Sequence, residues 1–221
     1  MLKVEDVDVA IGSVSILRGA SLAVERGQFA GLVGRNGAGK TTLLRTVMGL
    51  LQPRRGSLRF QGALLDRVPP HLRSRRGIGY MPEDRRLVPD LTVEENILLP
   101  AWAARLRDTA GRLSRIYQTM PEVRLLRDRK ALQLSGGQQK LVALARALIS
   151  GTHLLLLDEP FEGVAPVLAR RLAEVIGQLK REGLAAVLCE SDLTHTREML
   201  DVVFPIDRGT VGAPEAGASR R

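Results

Sequence analysis

Residues 29–42 read FAGLVGRNGAGKTT, and this stretch decides the fold. FAGLV is a short apolar run with the length of a buried strand, and the TTLLRTVMGL that begins at Thr41 has helical spacing. Between them, Gly34, Gly39, Lys40 and Thr41 match the pattern G-x-x-x-x-G-K-[ST]. A phosphate is a large anion, and backbone N–H groups surround it only where side chains do not obstruct the approach; glycine removes the obstruction. The helix that starts near Lys40 points its N-terminal N–H groups and its dipole at the charge. Lys40 then supplies a mobile cation for the β- and γ-phosphates of a nucleotide, and the Thr41 hydroxyl is suited to ligate Mg²⁺. Asn36, Gly37, Ala38 and Thr42 complete the loop that would line such a site.

Two further stretches belong to the same chemistry. LLLLDEP at 154–160 places Asp158 and Glu159 at the end of a four-leucine strand. Adjacent carboxylates there are costly unless a cation offsets them. A nucleotide-bound Mg²⁺ satisfies Asp158, and Glu159 is then placed to orient and polarise an attacking water. LQLSGGQQK at 132–140 has no use in a simple one-chain phosphate loop. Ser135, Gly136, Gly137 and Gln138 form a second helix start stripped of bulk, hence a second anion site. Two phosphate-facing helix ends on one chain point to two chains that share two nucleotides.

The surrounding pattern is α/β. Residues 2–9 alternate apolar and polar as a half-exposed strand, 21–26 read as another, and 57–62 as a further strand or hairpin. Residues 92–133 look mostly helical, with Thr92 as N-cap and Glu95 three residues on. Leu141, Leu144, Ala145 and Leu148 recur on one helical face; a helix at about 166–181 and a strand at 184–189 follow. This order predicts a mostly parallel core sheet with a helical insert. We expect one domain, with core segments at about 1–83 and 153–212, the insert at about 84–152, and a disordered tail at 213–221.

The net charge of +9 favours anionic partners, but the basic residues come as scattered pairs without interleaved aromatics, so no nucleic acid is expected as the working partner. Cys189 is the only cysteine and lies in an apolar run, which reads as a small buried hydrophobe. No apolar run reaches the roughly 18–20 residues that span a bilayer.

GRNGAGKTT, LSGGQ and LLLLDEP, in this order, resemble the ATP-binding subunits of ABC transporters, over essentially the whole chain to about residue 212. GYMPEDRRLVPDLTVEENI (79–97) and DEPFEGVAP (158–166) look like the branched-chain amino acid importer ATPases, a group that also includes urea and short amide importers. The resemblance implies a P-loop NTPase core of RecA-like type with an N-terminal antiparallel β subdomain. It also implies ATP hydrolysis with Mg²⁺ and a head-to-tail homo- or heterodimer in which Lys40 of one subunit and Ser135–Gly137 of the other share each ATP. Integral membrane permease subunits and, indirectly, a solute-binding protein would be its partners, at the cytoplasmic face of the membrane.

By the same resemblance Glu83 would touch Mg²⁺ and sense the permease. Ile11 stands where the family usually stacks an aromatic ring on adenine. Ser191 stands where it usually has a γ-phosphate-sensing histidine, with His195 as a substitute if that segment is helical. These departures leave slow hydrolysis as an alternative, beside that of a soluble cassette ATPase acting on nucleic acid or ribosomes.

Overall fold

The computed structural model describes residues 1–218. The N-terminal alternation forms a long antiparallel hairpin of β1 (Leu2–Ile11) and β2 (Val14–Val24). Leu2, Val4, Val7 and Val9 are buried; the step from position 4 to position 7 coincides with a register shift that resets the inward phase. Both strands outrun the sequence reading, because β2 starts seven residues before the predicted 21.

The chain then enters β3 (Phe29–Val33) and α1 (Lys40–Val47) and returns to the first sheet as β4 (Arg55–Phe60) and β5 (Ala63–Leu64). α2 (Pro70–Arg75) leads to β6 (Ile78–Met81). The predominantly helical stretch resolves into α3 (Val93–Ala103), α4 (Thr109–Thr119) and α5 (Pro121–Arg124), and the separate helix read after Ser135 is α6 (Gly136–Ser150). β7 (Leu154–Asp158), α7 (Pro166–Arg181), β8 (Ala185–Glu190) and β9 (Val202–Asp207) follow, then β10 (Thr210–Val211) and β11 (Glu215–Ala216).

The first sheet has the order β2-β1-β4-β5, and the second β10-β9-β3-β8-β7-β6 with β11 also on β9. Within the second, β9, β3, β8, β7 and β6 run parallel, as the alternation of strands and helices predicts. Both faces of this sheet are covered, so its strands read as unbroken apolar runs. Along β7 the strand period divides the leucines: Leu155 and Leu157 join the cluster under α3, α6 and α7, and Leu154 and Leu156 join the cluster under α1 and the first sheet. The parallel register aligns the C-terminal ends of β3, β7 and β8, where Val33 pairs Glu190 and Asp158 pairs Cys189. Cys189 is fully buried, as expected.

Helix starts follow the sequence. Thr92 caps α3 in a capping box with Glu95, and Ser135 caps α6 in one with Gln138. The expected disorder of residues 213–221 is corrected in part: Glu215 and Ala216 pair with Val203 and Val202, and Gly217 N–H donates to Asp201 O at 3.0 Å. Two residues suffice because β9 offers a free sheet edge there. Residues 219–221 lie outside the described residues. At that same end of β9 the Phe29 N–H donates to the Asp201 carboxylate, 172 residues away in sequence, and beyond the other end Gly209 N–H donates to Ala38 O.

Arg73 is a charged side chain enclosed by the core. Arg73, fully buried, donates from Nε to Val68 O (2.8 Å), from Nη1 to Thr46 O and Val47 O (2.9 and 2.7 Å) and from Nη2 to Leu65 O (2.7 Å). It thereby serves carbonyls at the C-terminus of α1: Val47 O, past the helical ladder, and Thr46 O, which also accepts from Gly49 N–H. Burial, only partly countered by Asp66, pulls its pKa below the usual arginine value, yet it stays charged. Arg73→Met keeps most of the volume but removes the side-chain donor from four carbonyls, of which Thr46 O and Leu65 O keep a backbone donor and Val47 O and Val68 O lose theirs. It is expected to cost about 3 kcal/mol or more, seen as a thermal midpoint lower by roughly 6–12 °C in a chain of this size; an unchanged midpoint would contradict the role.

Candidate nucleotide site

The phosphate-loop sequence forms a tight turn at the C-terminal end of β3. Gly34 N–H donates to Glu190 O, and Ala38 N–H to Arg35 O. The glycines are required sterically. A Cβ on Gly34 would lie 2.1 Å from Ile206 O, and Gly39 has φ +113° with Leu17 against it. Asn36 and Gly37 are exposed at the loop's tip, while Ala38 and Gly39 are buried. Gly39 opens α1 with no side-chain cap, and no acidic residue stands in the first turn. Apart from Gly34 and Ala38, the N–H groups of the loop and first turn are therefore left without a side-chain cap, as an anion site requires.

Lys40 is only 5% exposed. Its Nζ lies 2.9 Å from Glu159 Oε1 and donates to Gly34 O at 2.6 Å, so the ammonium is held over the place where phosphate belongs. Asp158 is fully buried; Thr41 Oγ1 donates to its Oδ1 (3.1 Å) and Tyr80 OH to its Oδ2 (3.3 Å). Burial pushes the Asp158 carboxyl up to about 6, with the charges of Glu83 and Glu159 adding to the rise against the two hydrogen bonds. Glu83, Lys40, Thr41, Thr42 and Glu159 line one cleft with Asn36, Gly37, Gly39 and Ile16.

This crowding of acids fits a divalent cation beside a phosphate chain. Among the described residues no cluster of three His, Cys, Asp or Glu stands ready as a metal cage. A cation here would take Thr41 and Asp158 from the protein and the rest from phosphate and water, as magnesium does.

Glu159 has left-handed backbone, φ +47°, uncommon for a residue other than glycine. Five contacts hold it: its N–H donates to Cys189 O (3.0 Å), its O accepts from Lys140 Nζ (2.6 Å) and from Glu162 N–H (3.2 Å), Oε1 faces Lys40, and Oε2 accepts from Ser191 N–H (3.3 Å). The neighbouring Glu190 is buried, and burial first and the Glu159 charge second raise its carboxyl far above the ordinary range.

Ser135, Gly136, Gly137 and Gln138 line a separate cleft with Arg85, Lys140 and the 163–168 segment. Ser135 Oγ and the Gln138 side chain cap one another's backbone. Arg85 Nη1 donates to Gly136 O (3.3 Å) and Gln139 Oε1 (3.1 Å). Glu83 in the first cleft and Arg85 in the second are only two residues apart.

The structure places the three residues that depart from the family pattern or stand in for it. Ile11 stands 49% exposed at the end of β1 and does not line the cleft; Ile16, on β2, does. The hairpin carries residue 11 past the cleft and residue 16 back into it. Ser191 has an exposed side chain and engages Glu159 through its backbone N–H, a role any residue but proline can fill. Residues 192–196 form turns, not a helix, and the His195 ring packs on Phe161 at 5.4 Å between centroids instead of presenting itself as a sensor. Sequence reasoning missed Ile16, Tyr80, Arg85 and Lys140. The one available signal was the basic residue five positions into a helix whose other inward positions are aliphatic.

Comparison with known proteins agrees with this geometry. The family profile described as ABC transporter matches residues 17–162. The high-affinity branched-chain amino acid transport ATP-binding protein BraG of Pseudomonas aeruginosa is 34% identical over 219 residues, 99% of this chain and 94% of the relative. The lipopolysaccharide export system ATP-binding protein LptB of Haemophilus influenzae is 30% identical over 220 residues, 97% and 91% of the two chains. A crystal structure of the ADP conformation of an ATP-binding cassette of an ABC transporter superposes with a TM-score of 0.83 at 27% identity, covering 99% of this chain and 92% of that one.

Proposed function

The chain belongs to the ABC transporter family of ATP-binding cassette ATPases, and we propose that it powers an importer of branched-chain or other amino acids. In this reading two ATPase subunits, identical or paralogous, dock on integral membrane permease subunits at the cytoplasmic face, and a solute-binding protein supplies the cargo. The observation that carries the ATPase chemistry is the buried Lys40–Glu159 pair at 2.9 Å in front of an uncapped helix start. The 34% identity to BraG over nearly the whole chain supports the amino acid cargo.

The residues divide the work as follows. The Gly34–Gly39 backbone and the first turn of α1 bind the phosphates, and Ile16 covers the base or ribose side of the cleft. Lys40 shifts its ammonium from Glu159 to the β- and γ-phosphate oxygens. Thr41 and Asp158 would hold magnesium, with Glu83 alongside; when bound, the ion supplies charge neutralisation on the phosphates. Glu159, freed from Lys40, orients the attacking water and accepts its proton, while Ser191 N–H keeps the carboxylate aimed. Ser135–Gln138 close on the nucleotide held by the other subunit.

A second reading, the motor of an exporter, draws on the 30% identity to LptB. Co-expression of the tagged chain with the membrane subunits encoded beside it, followed by detergent extraction, separates the two. The importer reading expects co-purification with a permease and ATPase stimulation by amino-acid-loaded binding protein. Stimulation by a lipid-linked cargo instead, or no membrane partner at all, would remove it.

A further inference from the structure

Lys140 is the fifth residue of α6 and only 4% exposed. A buried ammonium is costly unless its donors are used. If this position served packing alone, methionine or leucine would fill it, as aliphatic residues do at Leu141 and Leu144 on the same helix. Instead Nζ donates to the main-chain oxygen of Glu159 at 2.6 Å, an oxygen that also accepts from Glu162 N–H. The charged groups that face Lys140 are Glu159, Glu162 and Glu190, which attract it, and Arg85, which repels it; burial pulls its pKa down against the three acids.

The target of this bond is a strained peptide. Glu159 is left-handed and precedes Pro160, two conditions that need the surrounding structure to over-determine them. Its N–H is anchored in the sheet through Cys189 O, but its carbonyl is anchored from another part of the molecule, by a side chain of α6. Lys140 also lines the cleft in front of Ser135–Gln138, one helical turn from the N-terminus of α6. A single side chain thus reaches from the wall of the second cleft to the peptide that aims the carboxylate of the first.

We propose that Lys140 is a positioning residue: its ammonium fixes the Glu159 peptide so that the carboxylate faces the Lys40 cleft, and it makes that aim depend on the setting of the helix whose N-terminus lines the second cleft. The inference deepens the ATPase reading and rests on it. It assigns the residue no contact with the nucleotide held by the Lys40 loop, so ATP binding there and turnover respond differently to its loss.

The test is steady-state Mg-ATP turnover by the purified full-length chain and its K140M, K140Q and K140R variants. Misaiming a reacting group by about 1 Å costs on the order of 100-fold in rate, so K140M is expected to lose about 30- to 100-fold in kcat with KM for ATP within about threefold of the parent. K140R, which restores a charged donor, is expected to recover most of the loss, and K140Q, which restores an uncharged one, part of it. A K140M chain with kcat close to the parent's overturns the proposal. So does a parallel worsening of kcat and KM that K140R fails to rescue, since that marks general damage to α6. If K140M does not fold, the K140R and K140Q pair decides: equal rates in the two remove the need for charge. A parent chain with no magnesium-dependent turnover is a different result, which overturns the ATPase reading and this inference with it.

Discussion

Glu159→Gln is expected to lower ATP turnover by about 100-fold or more, the range associated with loss of a general base, while leaving ATP bound. The substitution is nearly isosteric and keeps an oxygen for the Ser191 N–H, so the loop should not move. Its effect on binding follows from Lys40. In the structure the ammonium is shared between Glu159 Oε1 and Gly34 O. An amide attracts it far less than a carboxylate, so Lys40 is freer to move to phosphate, and affinity for ATP should hold or rise. Phosphate release measured beside retention of labelled ATP on gel filtration checks both halves. Turnover within threefold of the parent would show that another group activates water.

Lys40→Ala is expected to act in the opposite way, on binding first. The lost charge-assisted contacts to phosphate are worth about 2–3 kcal/mol, or roughly 30- to 150-fold in affinity. The deletion also leaves Glu159 buried beside Glu190 with its nearest cation gone, so a proton will occupy the pair more firmly. Turnover should therefore stay depressed even at saturating ATP. Equilibrium titration with magnesium and a fluorescent ATP analogue reads the first effect; unchanged affinity would separate the loop from nucleotide binding.

Much of this was legible in the sequence, and what was legible shares one property. The phosphate loop, the acidic strand end and the Ser135 helix start are local patterns, in which neighbours along the chain already do the chemistry. α7 at 166–181 and the β7 leucines were readable because a long clean period or an unbroken apolar run leaves little choice. β6 was not: four residues carry no usable period, and the strand exists because β7, far along the chain, lies beside it. β9 was hidden by Pro205, which argues against an inner strand, yet pairs there with Val33. The buried charges were the least readable. Nothing near Arg73 in sequence marks it as enclosed, and Lys140 was marked only by the aliphatic positions around it on α6; the carbonyls they serve belong to other elements. Ile11 and Ile16 differ only by which leg of a hairpin meets the cleft, a matter of register.

The parallel pairing of β3 has a consequence for how the protein is born. The strand that carries the phosphate loop finds both of its sheet neighbours, β8 and β9, in the last fifth of the chain, and its first amide is held by a carboxylate 172 residues downstream. At synthesis rates of roughly 5–20 residues per second, that partner emerges on the order of ten seconds later. A nascent or prematurely terminated chain therefore carries the complete GRNGAGKTT signature without the frame that shapes it, so ATP capture marks the finished polypeptide.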